Sequence, residues 1–278
     1  MASLRAVIVT SAVAIGAVSA AHAADLDLPP PPPVEAPPPA PVANGWYLRG
    51  DVGYGFDQLS DFSSNATTFV PPVPGFEVNG TGIDGQVNVG AGAGYQFNNW
   101  FRADVTAEYR TPTHYSAQES FIDTDTGNRN GDAYDATIRS VDVLANAYFD
   151  IGTWYGVTPF VGAGVGAAFH QFHGLTDKGS GPDDFSGFGT APDANTTQLA
   201  WAVMAGFDYA ISPNWAFEVG YRYIDLGHLT SNGIVCQPDG CSPHEIQSFH
   251  LTSNEVRVGL RYTFAEAPLP APPLVTKY

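Results

Sequence analysis

Between Gly45 and Phe264 the chain falls into eight runs in which every second side chain is apolar, the period of a strand with two unlike faces. The runs are 46–56, 87–97, 101–110, 140–150, 160–170, 198–209, 217–223 and 255–264. In the third, Phe101, Ala103, Val105, Ala107 and Tyr109 oppose Arg102, Asp104, Thr106, Glu108 and Arg110. The last sets Val256, Val258, Leu260, Tyr262 and Phe264 against Glu255, Arg257, Gly259, Arg261 and Thr263, while Leu144 is the misfit of the fourth. No stretch beyond the N-terminal one approaches the ~20 apolar residues of a spanning helix. Any membrane span must therefore be made of strands.

Volume decides which face points where. An eight-stranded barrel has an interior only just wide enough for side chains to fill, and the apolar face carries too many Phe, Tyr and Trp to fit inside. The other face mixes Gly and Ala with Arg, Asp and Glu, and it fits. The expected fold is all-β, an eight-stranded antiparallel transmembrane up-and-down β-barrel with its apolar face toward lipid. By parity Arg49, Arg102, Arg110, Arg222, Arg257 and Arg261 then share the lumen with Asp51, Asp104, Glu108, Asp142, Asp150, Asp208, Glu218 and Glu255. Because an unpaired buried charge costs several kcal/mol or more, these groups should condense into an ion-pair network that plugs the barrel. A narrow pore that selects ions by charge is the alternative.

The connections are lopsided. "NN", "GTWYGV" and "SPN" join runs two to three, four to five and six to seven, whereas the other links are long. Tight turns at one end and long loops at the other suit an outer-membrane barrel with both termini at the short-turn, periplasmic end. Trp46, Trp100, Trp154 and Trp215 all fall at that end, one per hairpin, as an interfacial aromatic girdle would.

The rest of the chain is read from composition. Residues 1–23 carry Arg5, a short apolar core and the small-residue site Ala21-His22-Ala23, a secretory signal cleaved before Ala24. Residues 24–44 form a proline-rich spacer, residues 45–264 the barrel, and residues 265–278 a flexible C-terminal tail. In the oxidising compartment beyond, Cys236 and Cys241 in "CQPDGC" are expected to pair as a loop staple. A net charge of −17 excludes nucleic acid as a partner.

"GWYLRGDVGYGF", "GYQFNNWFRADVTAEYR", "VTPFVGAGVGAAF", "WAFEVGYRYIDLG" and "EVRVGLRYTF" resemble the opacity-type, OmpA-transmembrane-like family of small Gram-negative surface barrels, over Gly45 to Phe264. The resemblance implies an outer-membrane location and a non-enzymatic, envelope-structural and surface-interaction role. Family members are also described as small porins, surface antigens and haem binders, so a narrow porin passing small ions or solutes, or a surface haem- or ligand-binding barrel, are the alternatives. It further implies that the terminal strand, Val256, Val258, Leu260, Tyr262 and Phe264, is what the barrel-assembly machinery reads. The tail beyond Phe264 departs from the family pattern.

The long links are acidic, relieved by Arg129, Lys178 and Arg139, and could bridge through divalent cations to lipopolysaccharide. "DTDTGNRNGD" resembles a calcium loop but has Gly127 where a third acidic ligand belongs, so no metal site is expected. His114, His170, His173, His228, His244 and His250 lie in or beside the long links and read as solvated loop residues, and no cofactor is expected. His250 and Ser253 are the nearest thing to a hydrolytic pair, but their parities are opposite, so no catalytic residue is assigned.

Overall fold

A computed structural model describes residues 44–182, 187–237 and 244–264. It contains β1 (Gly45–Ser64), β2 (Glu77–Ile83), β3 (Gln86–Gln96), β4 (Phe101–Ile122), β5 (Arg129–Asp150), β6 (Val157–Ser180), β7 (Phe188–Thr190), β8 (Ala194–Ala210), β9 (Trp215–Thr230), β10 (Val235–Gln237) and β11 (Gln247–Thr263), with a short 3-10 turn at Asn65–Thr68. All pairings are antiparallel. Eight strands close into a ring in the order β1, β3, β4, β5, β6, β8, β9, β11, and the β1–β11 pairing (Leu48↔Tyr262, Val52↔Val258) seals it. Closure leaves the inner parts of these strands no free edge to pair with other chains. β2 adds to β4, and β7 and β10 extend from β6, outside the ring. Among the described residues no helix is long and apolar enough to cross a membrane.

Near the short turns the ring is inside out relative to a soluble protein. Trp46, Phe56, Val105, Val165, Leu199 and Val256 are exposed around its outer wall, while Arg102, Arg110 and Arg222 are fully buried within. The misfit Leu144 also points inward and is fully buried. The small residues of β3, β6 and β8 make room for the long ones. Tyr148, for example, lies across Gly162, whose Cβ, if it had one, would meet the Tyr148 ring at 2.7 Å.

The long links of the sequence turn out to be largely strand. β4 and β5 run on as a hairpin to Ile122 and Arg129, and β6 continues to Ser180. In this outer portion the polarity reverses. The interior becomes an apolar core in which Tyr115 stacks on Phe249 (4.9 Å between centroids) and meets Phe172 edge-on (5.3 Å). Bulges manage the change. The register shifts between Arg110 and Thr113, so that Tyr115, Ala117 and Glu119 point inward although Arg110 does too. On β6 the extra residue falls at Gly174–Leu175 and on β9 at Leu226, next to Gly227; Gly174 (φ 67°) and Gly227 (φ 81°) take a left-handed conformation that glycine adopts without strain.

Candidate functional site

The inner half of the ring is filled by charge. All six inward arginines contact carboxylates, in two layers. Near the short turns, Arg102 reaches Asp150 (3.2 Å), Glu218 (3.2 Å) and Asp208 (3.4 Å). Arg49 reaches Glu218 (2.7 Å), Asp51 (3.2 Å) and Asp104 (3.3 Å), and Arg261 pairs with Asp208. The Arg102 guanidinium also lies against the rings of Tyr148 (4.4 Å) and Phe160 (4.8 Å), a desolvated cation–π arrangement. In the second layer Arg222 joins Glu108 (2.5 Å) to Glu255 (2.6 Å), Arg110 joins Asp142 to Glu255 (both 2.7 Å), and Arg257 joins Glu108 (2.6 Å) to Asp51. Arg257 links the two layers through Asp51. Tyr47, which donates to Asp104 (3.1 Å), and Tyr148, which accepts from Arg49 (2.9 Å), belong to the same web.

Little space remains. A void bounded by Arg49, Glu218, Arg222 and Arg257 measures about 20 Å³, room for about one water. Beyond the second layer the apolar core of Ile224, Phe172 and Phe249 fills the interior again. Two barriers of opposite character therefore lie in series along the axis.

At the outer end, far from Gly45 and Phe264, the interior turns acidic. Glu119, Asp132, Asp177 and Glu245 gather around Tyr134, whose hydroxyl donates to Glu245 (2.8 Å) and lies 3.3 Å from Glu119. Beside them opens a cavity of about 220 Å³ walled by Phe69, Phe76, Phe121 and Phe188, with Asp132, Asp177 and Glu245 in its lining. Burial, together with the neighbouring Glu245 carboxylate, raises the Asp132 pKa to about 6, and burial with Asp132 and Glu245 raises that of Asp177 to about 7. Burial beside Glu245 raises Glu119 as well. Parity along the inner strand could not have revealed this cluster, because the bulge after Arg110 resets which residues of β4 face in.

The other sequence candidates are dispersed. Asp123 of the calcium-like segment spends one oxygen on the amides of Asp125 (2.8 Å) and Thr126 (2.9 Å), and among the described residues no group of three or more His, Cys, Asp or Glu is arranged to hold a metal. Ser253 is buried inside the ring, whereas His250 contacts Asp225 (2.8 Å) and the exposed His228 (3.2 Å). His170 is not a solvated loop residue. It is buried, held between Ser140 (2.7 Å) and the Leu226 carbonyl (3.0 Å), because the strand persists through it. Cys236 lies on β10, and its expected partner Cys241 falls outside the described residues, as do the signal, the spacer and the tail.

The model of the outer membrane protein beta-barrel domain matches residues 10–264. The chain belongs to this family. As a family member it is placed in the outer membrane of Gram-negative bacteria. It is 30% identical over 280 residues to an uncharacterised protein of Brucella abortus strain 2308, covering 90% of this chain and 95% of the relative. A Rickettsia conorii protein, whose name marks it provisionally as an adhesin, is 26% identical over 233 residues, 80% of this chain and 83% of the relative. Among solved structures, the outer membrane protein OprG of Pseudomonas aeruginosa superposes with a TM-score of 0.48 at 15% identity, covering 82% of this chain and 99% of that one. On the outer wall of this barrel-family chain Trp46, Trp100, Trp154 and Trp215 are exposed at the short-turn end. Val256, Val258, Leu260 and Phe264 project from the same wall, and the Phe264 amide donates to the Trp46 carbonyl (2.9 Å).

Proposed function

We propose that the chain is an exported eight-stranded up-and-down barrel spanning the outer membrane, with its short turns and both termini periplasmic, and that it acts without catalysis as an envelope-structural and surface-interaction protein. One observation carries this reading: the interior is closed twice, by the arginine–carboxylate layers and by the apolar core above them. A filled lumen favours a scaffold over a conduit, and it moves the functional surface to the outer sheet extension of β2, β4, β5, β6, β7 and β10. The name of the Rickettsia relative fits a role at that surface.

The partners follow from chemistry. The exposed apolar wall meets lipid, and the terminal strand ending at Phe264 is offered to the barrel-assembly machinery. The acidic outer face attracts divalent cations that bridge to lipopolysaccharide. The test is display on a non-adherent Gram-negative host. Cells carrying the full chain should gain adherence or resistance to chelator and detergent, and cells carrying a chain with the outer hairpin 113–138 shortened should lose that gain. If both strains match the empty host, the proposed role is wrong.

A further inference from the structure

We infer that the aromatic-walled cavity at the outer end of the ring is a binding site for an organic cation with an apolar body, such as an aryl- or alkylammonium. The cavity offers two complementary surfaces. Phe69, Phe76, Phe121 and Phe188 line it as an apolar wall, and aromatic side chains attract ammonium groups. Asp132 and Asp177, once ionised above about pH 7, supply negative charge on the same lining, beside Glu245.

The charge balance shows what is missing. In the inner half of the ring Asp51, Asp104, Glu108, Asp142, Asp150, Asp208, Glu218 and Glu255 each contact an arginine; in the outer cluster no carboxylate does among the described residues. Arg129 is committed to the exposed Glu77 (3.2 Å). Lys178 follows Asp177 on β6 and so lies on the opposite face. The internal stretches 183–186 and 238–243, outside the described residues, contain no Lys or Arg. One buried carboxylate oxygen in the cavity wall, Asp177 Oδ1, has no hydrogen-bond partner among the described residues. Buried polar atoms are nearly always satisfied, so such orphans mark a place for a partner. A bare metal ion does not fit, since the carboxylates are not clustered as ligands and four phenyl rings offer it nothing. An ammonium with an aryl or alkyl body satisfies both walls.

The site is independent of the adhesive role proposed above, so each can fail alone. The test is calorimetric titration of the full-length protein, refolded in detergent, with phenethylammonium, and with 2-phenylethanol and phenylacetate as neutral and anionic counterparts. The cation should bind, the alcohol should bind roughly tenfold more weakly, and phenylacetate should not bind. The double variant Asp132→Asn/Asp177→Asn should lose the preference for the cation while keeping the altered gel mobility of an unboiled barrel. Phe76→Ala, which lies outside the ring and leaves the acids intact, should weaken the cation several-fold even if the double variant fails to fold. Equal binding of cation and alcohol, full affinity in either variant, or no binding of phenethylammonium would each overturn the inference.

Discussion

The hydroxyl of Tyr134 stands between two carboxylates, 2.8 Å from Glu245 and 3.3 Å from Glu119. One hydroxyl proton cannot serve both at once, so the second acid is most stable when it carries its own proton. Asp132 and Asp177, with pKa values raised to about 6 and about 7, share this environment. Between the ordinary aspartate value near 3.8 and these raised values the folded state binds more protons than the unfolded chain. Stability of the outer extension is therefore fully present below about pH 4 and is lost as pH rises through 6 to 7. Amide exchange around Tyr134, corrected for its intrinsic pH dependence, should accelerate from pH 5 to pH 8, while the amides of Val141–Phe149 stay protected. A Glu119→Gln variant should flatten part of that dependence.

Arg222 is the central bridge of the upper charged layer, tying Glu108 to Glu255. Arg222→Leu would strand both carboxylates inside the ring, a loss of about 3–5 kcal/mol for a broken buried pair. Urea unfolding from lipid vesicles should register it as a lowered midpoint. Arg139→Leu, on the exposed outer face of β5, should leave the midpoint within experimental scatter.

Packing across bare strands can be tested separately from charge. At Gly162 a Cβ would also sit 2.9 Å from the Ala147 carbonyl oxygen, so Gly162→Val must push Tyr148 away from Arg49 and Arg102. Overpacking of this kind costs about 1–3 kcal/mol. The heat-induced shift in gel mobility should occur at a lower temperature than in the parent protein.

The end of β11 carries a prediction for assembly. Phe264 closes the outer wall next to Trp46 and Tyr262, whereas the tail beyond it, with its prolines, is unsuited to pairing. Truncation after Phe264 should leave insertion intact, and Phe264→Ala should leave protein accumulating unfolded in the periplasm. Fractionation of cells expressing each variant reads the outcome.

How much of this was legible in the sequence depended on where the period of two was unbroken. From Phe101 to Arg110 the alternation runs without interruption, so parity alone placed Arg102, Asp104, Glu108 and Arg110 in the interior. Past Arg110 one inserted residue reverses the relation between residue number and face, and similar insertions at Gly174–Leu175 and Leu226 do the same on β6 and β9. For that reason the strands beyond looked like loops. The apolar core around Tyr115 and Phe249 and the acidic cavity lie past those bulges, whereas His170 continues the unbroken inward face of Phe160 and Ala168 on β6, at the very end of its alternating run. Leu144 looked like an error in the pattern because it is apolar on the polar face; it fits because β6 presents bare Gly166 directly opposite.

Single-channel recording across a planar bilayer tests the central claim most directly, because a lumen filled by Arg222, Glu108 and Glu255 and capped by apolar side chains should not pass hydrated ions. The refolded full-length protein, verified as folded by its unboiled gel mobility, should show no stepwise current in molar potassium chloride. Arg222→Leu, if it inserts, should add at most brief, irregular openings. Stable, uniform conductance steps from the unmodified protein would contradict the closed interior and make the chain a narrow porin.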